Sequence, residues 1–370
     1  MKKSKGRVSR WMKGIATGTL VLALAACSSG GGGGTGGETG KSGGSTPAPE
    51  ASAEQKLVIY TGRDKNMAEE VIKSFNAKHP EVKVDFMTLG AQEILERVRA
   101  EKANPQADFW WGGTQSALMT AADEGLLEEH KPSFDSAVPA LYKDEKGRWY
   151  GEMLLPEVIM YNPQMIPKEE APKDWDELLD PKYKDKIVIR GVLKSGTMRT
   201  IYSSMIYRQG PDTPEKGYEW LMKLDANTKE YATDPTNLYL KMARQEAGIS
   251  LWNLQDIMLQ KETKNQPFDY IYPKSGAPIL VDGVAMVKGA KNSEAAKKFY
   301  EFLFEEKTRL DLAEKYFQIP TREDISKESL PSWMKDIELK PLDIDWKLMA
   351  EKEKEWMQYW DENVKGKGKK

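Results

Sequence analysis

From residue 56 onward, short apolar runs alternate with longer stretches in which apolar residues recur every three or four positions. Lys56-Leu57-Val58-Ile59-Tyr60 is apolar and β-branched without a polar alternation, the pattern of a strand covered on both faces. Met67, Val71, Ile72 and Phe75 then fall on one helical face. That helix is expected to stop at His79-Pro80, because the residue before a proline is pushed out of helical geometry. Val82-Lys83-Val84-Asp85-Phe86 alternates as a strand, and Ile94, Leu95 and Val98 mark a second amphipathic helix. Asp108-Phe109-Trp110-Trp111 reads as another buried strand that ends at Gly112-Gly113-Thr114, with a helix behind it. Strand and helix in turn predict an α/β fold with a mostly parallel sheet.

Residues 149–162 form one long apolar, extended stretch, read as a crossover between two lobes. Beyond it the pattern predicts strands over 186–190, 248–253 and 278–287, and helices over 198–208, 217–224, 239–246 and 293–304. Residues 319–322 read as a turn and 346–360 as a helix rich in Trp, Lys and Glu. The Glu and Lys run at 350–355 reads as a solvated face, and the basic tail from 365 as frayed.

Three junctions share one chemistry. Thr61-Gly62, Gly112-Gly113-Thr114 and Ser195-Gly196-Thr197 each close a strand and precede a helix. Glycine lets backbone come close to a neighbour, and a hydroxyl caps the new helix. The first turn of a helix carries unpaired N–H groups and the positive end of its dipole, so it suits phosphate, phosphonate or carboxylate. Taken singly, each junction is an ordinary cap. Arg63 and Lys194 stand beside two of them and could add a cation, Arg63 in bidentate fashion. Regular alternation points Trp110 and Trp111 to opposite sides, with Trp111 favoured for the cleft because it leads into the glycines. Trp252 is open to either fate. Asn253, Asp256 and Asp282 lie at strand ends and could hold hydroxyls or an amine, and Asp64 could pair with an amine.

The N-terminal segments change the picture of where the body resides. Lys2, Lys3, Lys5, Arg7, Arg10 and Lys13 precede the apolar run 14–26, which is short for a membrane span and fits a signal peptide. It ends Leu24-Ala25-Ala26-Cys27, with the chain's single cysteine last. Residues 27–55 are rich in Gly, Ser, Thr and Pro and read as a flexible tether. One cysteine excludes an internal disulfide and a Cys-based zinc site. The 370 residues suffice for about two domains, and a net charge of -2 gives no bulk field for nucleic acid. There is no Ser-His-Asp set, HExxH or GK[ST] phosphate loop, no cofactor motif, and no carboxylate dyad that stands out from the abundant Asp and Glu.

The order of these motifs resembles a known family. Tyr60-Thr61-Gly62, Ala107-Asp108 with the later Gly125-Leu126-Leu127-Glu128, Ser195-Gly196-Thr197, and Asp282-Gly283-Val284-Ala285-Met286-Val287-Lys288 followed by Ala295-Ala296-Lys297-Lys298-Phe299 are similar to the extracellular solute-binding proteins of ABC importers. The branch is the one for ferric iron, thiamine, phosphonates, sugar phosphates and polyamines, and the likeness spans about residues 56–322. It implies a two-lobed, type II periplasmic-binding-protein fold, with each lobe a mostly parallel sheet flanked by helices and the ligand between them. One lobe is expected over 56–154 and 280–318, the other over 155–279 and 319–370. The end of the apolar run resembles a lipoprotein box, which implies that Cys27 is diacylated and that the body is a monomer anchored on the extracytoplasmic face of the cell membrane, working with permease subunits and not as an enzyme. In iron-binding relatives the ligands come from a His after the first strand, a Glu after the third and a Tyr pair after the strand matched by residues 249–253. Here those places hold Asp64, Gly113 and Leu254-Gln255, and a glycine and Leu-Gln lack the hard anionic oxygens that ferric iron requires. The expectation is therefore a small organic anion, with polyamine, thiamine or ferric iron as alternatives in the same fold, and an anchored carboxylate-dependent hydrolase as the alternative of another class.

Overall fold

The computed structural model describes residues 55–335 and 337–369. Cys27, the signal segment and the tether lie outside the described residues. β1 (Gln55–Thr61), β2 (Val82–Thr88) and β3 (Phe109–Thr114) alternate with α1 (Lys65–Lys78), α2 (Ala91–Ala100) and α3 (Gln115–Asp123). The long strand β4 (Tyr150–Tyr161) follows, then β5 (Ile187–Arg190), α4 (Gly196–Gln209), α5 (Glu215–Asn227), β6 (Thr228–Ala232), α6 (Pro235–Ala243), β7 (Ile249–Asn253), α7 (Leu254–Lys264) and β8 (Asp269–Ile271). β9 (Ile279–Met286) leads to α8 (Ser293–Phe304), α9 (Glu306–Tyr316), β10 (Ile319–Pro320), α10 (Ser332–Lys335) and α11 (Trp346–Asn363).

The strands run in the order β2-β1-β3-β9-β4-β7-β5-β6, with β8 and β10 both paired to β4. The outer wings are parallel: β1 pairs with β2 and β3, and β5 with β6 and β7. The centre is antiparallel, because β4 and β9 are the strands that carry the chain from one wing to the other. Its 12 residues let β4 serve both sides: 150–156 pair with β9, and Glu157–Tyr161 with β7.

The inner strands of each wing are covered on both faces, which explains why they lack the polar alternation that the edge strand β2 keeps. On the first wing, α1 and α8 close one apolar core around Leu57, Ile59, Phe109 and Trp111. α2 and α3 close the opposite one around Tyr60, Trp110, Leu154 and Ala285. The second wing has one large core, in which β5, β7 and the far half of β4 meet α4 to α7 and the α11 residues Met349, Trp356, Met357 and Trp360.

Several expectations change at the C-terminal end. Residues 319–320 are a short strand that pairs with Leu154 and Met153, not only a turn. Glu353 is not on a solvated face: it is 6% exposed and ion-pairs with Arg199 of α4. The last residues are held too, since Gly366 N and Gly368 N donate to the Asp225 carboxylate at 2.9 and 2.8 Å. Each of these contacts joins groups distant in sequence, so no local pattern announces it.

Candidate functional site

The three glycine-and-hydroxyl junctions meet. Gly62 N donates to Trp111 O at 2.9 Å, and a Cβ on Gly62 would stand 2.8 Å from Gly112 O. Gly112 itself has φ +93°, which an L side chain rarely adopts. From the other wing, Gly196 approaches so closely that its Cβ would lie 2.5 Å from Thr114 Cγ2. Every junction also caps its own helix. Asp64 accepts from Asn66 N and Met67 N, Thr114 from Ala117 N, Ser195 from Met198 N and Asn253 from Asp256 N. The N-termini of α3 and α4 thus face each other across a cleft whose walls touch. A second contact closes it elsewhere: Gln255 Nε2 donates to Tyr316 O at 2.9 Å.

The floor is made by β4 and β9. Met153 and Leu155 on β4 and Leu280 on β9 share one face and form a small apolar cluster, separate from the three larger cores. The alternation of β4 places Glu157 on that same face, and the register places Asp282 beside Met153 and Asn253 beside Glu157. An apolar patch is therefore bounded by a carboxylate at either end.

Around Asp282 the charges are matched. Arg63 is buried, and one of its nitrogens donates to Glu152 Oε2 at 2.7 Å and to Asp282 Oδ1 at 2.6 Å. Arg309 donates to Glu152 Oε1 at 2.7 Å, and the indole N–H of Trp111 to Glu152 Oε2 at 2.8 Å. Burial pulls the Arg63 guanidinium down, but Asp282 and Glu152 outweigh it and hold its pKa above the ordinary value. Burial would raise Glu152, yet Arg309 and Arg63 keep it below the carboxylate range. Burial pushes Asp282 up to about 6, with Arg63 opposing. Arg63, expected as an anion ligand, thus spends its charge on two carboxylates of its own chain.

Around Glu157 they are not matched. Its side chain is 0% exposed, and among the described residues neither carboxylate oxygen has a partner in hydrogen-bond geometry. Burial and the charge of Asp256 push its pKa well above the ordinary carboxylate value; the neighbouring Thr197 hydroxyl opposes this and Asp282 adds to it. Asp256, in the first turn of α7, is already engaged: its Oδ2 accepts from Trp252 Nε1 at 3.0 Å, Asn253 Nδ2 at 3.1 Å and the Tyr239 hydroxyl at 3.3 Å. Nearby, Arg190 at the end of β5 donates to Ser195 Oγ at 3.3 Å and lies 5.8 Å from the Trp252 ring. Its Nε is buried without a partner, and among the described residues no carboxylate comes within ion-pair distance of it. Burial lowers its pKa, with Tyr239 and Asp256 opposing.

The remaining expected residues divide. Thr61, Gly62, Gly112, Gly113, Thr114, Ser195, Gly196, Thr197, Asn253, Asp256 and Asp282 gather at or beside the floor and the facing helix ends. Trp110 and Trp111 do point to opposite sides of β3, but both are fully buried because helices cover both faces, so Trp111 offers no open ring. Trp252 is likewise buried, with its indole N–H spent on Asp256. Lys194 is out at the rim, its side chain 78% exposed and 3.8 Å from Glu93. Asp64 is exposed and acts as a cap. The pattern of apolar residues does not single out Glu157 or Arg190, since one sits inside an apolar strand and the other ends one. Only the polarity of Glu157 within that run hinted at it. Among the described residues no group of three or more His, Cys, Asp or Glu is placed to hold a metal ion, and no helix is long and apolar enough to cross a membrane.

Residues 99–345 match the family model described as bacterial extracellular solute-binding protein. Over 308 residues the chain is 25% identical to a probable ABC transporter periplasmic-binding protein of Sinorhizobium fredii, covering 82% of this chain and 84% of that one. Among solved structures, the periplasmic binding protein AfuA from Actinobacillus pleuropneumoniae with fructose-6-phosphate bound is similar at a TM-score of 0.74 and 26% identity, covering 84% of this chain and 99% of that chain. A ferric binding protein from Campylobacter jejuni is similar at a TM-score of 0.72 and 26% identity, covering 83% and 98%.

Proposed function

The chain belongs to the bacterial extracellular solute-binding proteins, the binding components of ABC importers, and from that premise we propose that its solute is a small organic anion such as a phosphate ester, a sugar phosphate or a phosphonate. The observation that carries this reading is Arg190, a half-buried guanidinium beside the N-terminus of α4 that ion-pairs with no carboxylate among the described residues. An oxyanion there gains a charged donor, the Gly196 and Thr197 N–H groups and the facing end of α3. The relatives with named cargo include a sugar-phosphate complex and a ferric protein, and the organic anion fits these residues better because the iron-ligand places hold Asp64, Gly113 and Leu254-Gln255. Solute is held and released without bond breaking.

The same reading places the body outside the cell membrane on a lipid-modified Cys27, which a Cys27→Ser chain tests: recovery in the membrane fraction would refute the anchor. It divides the body at the crossover strands, with 56–154 and 280–318 in one lobe and 155–279 in the other. The C-terminal part is shared, since Ile319, Trp333 and Leu339 pack on the first wing and Ile344 to Val364 on the second.

A thermal-shift panel of phosphorylated sugars, phosphonates, polyamines, thiamine and ferric citrate tests the ligand class. A ligand at 100 times its Kd stabilises by about 2.7 kcal/mol. Stabilisation by phosphorylated or phosphonate members is expected. A shift with ferric citrate or polyamines alone would overturn the anion reading.

A further inference from the structure

We propose that Gln255 is a positioning residue for closure: it fastens the two lobes together across the cleft mouth and leaves the solute to other groups. This goes beyond the ligand reading above and holds for any solute. Gln255 lies in the first turn of α7, in the lobe over 155–279. Its Nε2 donates at 2.9 Å to the Tyr316 carbonyl at the end of α9, in the lobe that includes 280–318. The amide N–H that would serve a solute is thus given to the opposite wall.

The acceptor is prepared by its own lobe. A helix ends with carbonyls that have no partner inside the helix. Four residues beyond Tyr316 stands Pro320, which has no N–H to give. The chain turns away through Phe317, whose φ of +55° is the left-handed conformation that a bulky side chain rarely takes. Phe317 N donates to Leu312 O, and Trp333 Nε1 fills Ala313 O at 3.0 Å, with the Phe317 and Trp333 rings 5.4 Å apart. Tyr316 O is left for a donor from outside. The end of α9 is also fixed, because the Tyr316 hydroxyl donates to Glu70 Oε2 at 2.5 Å and Lys315 ion-pairs with the same carboxylate of α1. Facing it, α7 is held by Asn253, whose side chain accepts from Asp256 N at 2.8 Å. The poles match as well, since the positive N-terminal end of α7 approaches the negative C-terminal end of α9. Lys194 and Glu93 also face each other across the cleft, but they are 3.8 Å apart and both exposed, and such a pair adds little. A bond made only when the lobes are together shifts the open–closed equilibrium toward closure by its own worth.

Double electron–electron resonance on the whole unliganded chain tests this. Nitroxides are placed on Glu262→Cys of α7 and Glu314→Cys of α9 in a Cys27→Ser background; both sites are exposed and neither takes part in the contacts above. The parent is expected to show a population at the separation these helices have in the structure, beside a longer one. Gln255→Leu, which keeps the bulk without the donor, should cut the short-to-long ratio about fivefold, or about 1 kcal/mol. Gln255→Glu should cut it at least as far, because a carboxylate repels the carbonyl end of α9. Its melting temperature should hold all the same, since an acid suits the first turn of α7. That opposite movement separates a closure role from support of the local fold. A parent without the short population, or a ratio unchanged in both variants, overturns the proposal. The ligand panel is read separately, so neither result bears on the anion reading.

Discussion

Two buried acids lie five residues apart on β4, and their surroundings are opposite. Glu152 is embraced by Arg63, Arg309 and the Trp111 indole, all from the first wing and all within 2.8 Å. Glu157, where β4 passes to the second wing, pairs with no cation among the described residues and is approached by a neutral hydroxyl, that of Thr197. A matched cluster holds the fold; an unmatched one waits for something to complete it. The same contrast separates Arg63, which bonds two carboxylates, from Arg190, which bonds one hydroxyl. Charge in a cleft is thus a poor guide to ligand contact until the partners within the chain are counted.

The sharpest way to break this contrast is at Glu152. Glu152→Ala leaves Arg63 and Arg309 buried with one carboxylate, Asp282, between them, and removing one side of a buried ion pair costs about 3–5 kcal/mol. Urea unfolding should show a loss of that size. A loss under about 1 kcal/mol would mean that the network contributes nothing to the fold and that Arg63 is as free as Arg190.

Arg190→Ala sharpens the other side. No ion pair is lost, so stability should stay within about 1 kcal/mol of the parent, as for residues outside named networks. Affinity for whichever phosphate or phosphonate the panel identifies should drop about 10- to 100-fold, because a hydrogen bond to a charged group is worth about 1.5–3 kcal/mol. Arg63→Ala should show the reverse order, losing stability first. If Arg63→Ala abolishes binding in a chain of unchanged stability, the roles assigned to the two arginines are exchanged.

The sequence carried a good part of this. The βαβ order, the crossover over 149–162 and the three junctions are legible because glycine, hydroxyl and apolar runs act on their immediate neighbours. The opposite facing of Trp110 and Trp111 is legible for the same reason. Partnership is not. Arg63 is neutralised by residues 89 and 219 positions away, and Trp111 is buried by Phe299 from α8. Glu157 looks like an interruption in an apolar strand until the fold shows that, among the described residues, no cation pairs with it. The strand β6 and helix α9 also escaped, being too polar on average for a periodic signal to stand out.

The smallest effect discriminates most finely. The Glu157 carboxyl, held above its ordinary range by burial and by Asp256, keeps its proton longer in the folded than in the unfolded chain. Its contribution to stability is therefore complete below the ordinary carboxylate pKa and is lost as pH rises through the folded value. Glutamine has no such proton to lose. The melting temperature of Glu157→Gln should match the parent near pH 4 and exceed it increasingly toward pH 8, by roughly 2 °C or about 1 kcal/mol, the low end of what an unsatisfied buried acceptor costs. Asp282, pushed up to about 6, titrates in the same interval but is present in both chains, so it largely cancels in the difference. A difference that stays flat with pH would mean that Glu157 is ionised and paired in the unliganded protein.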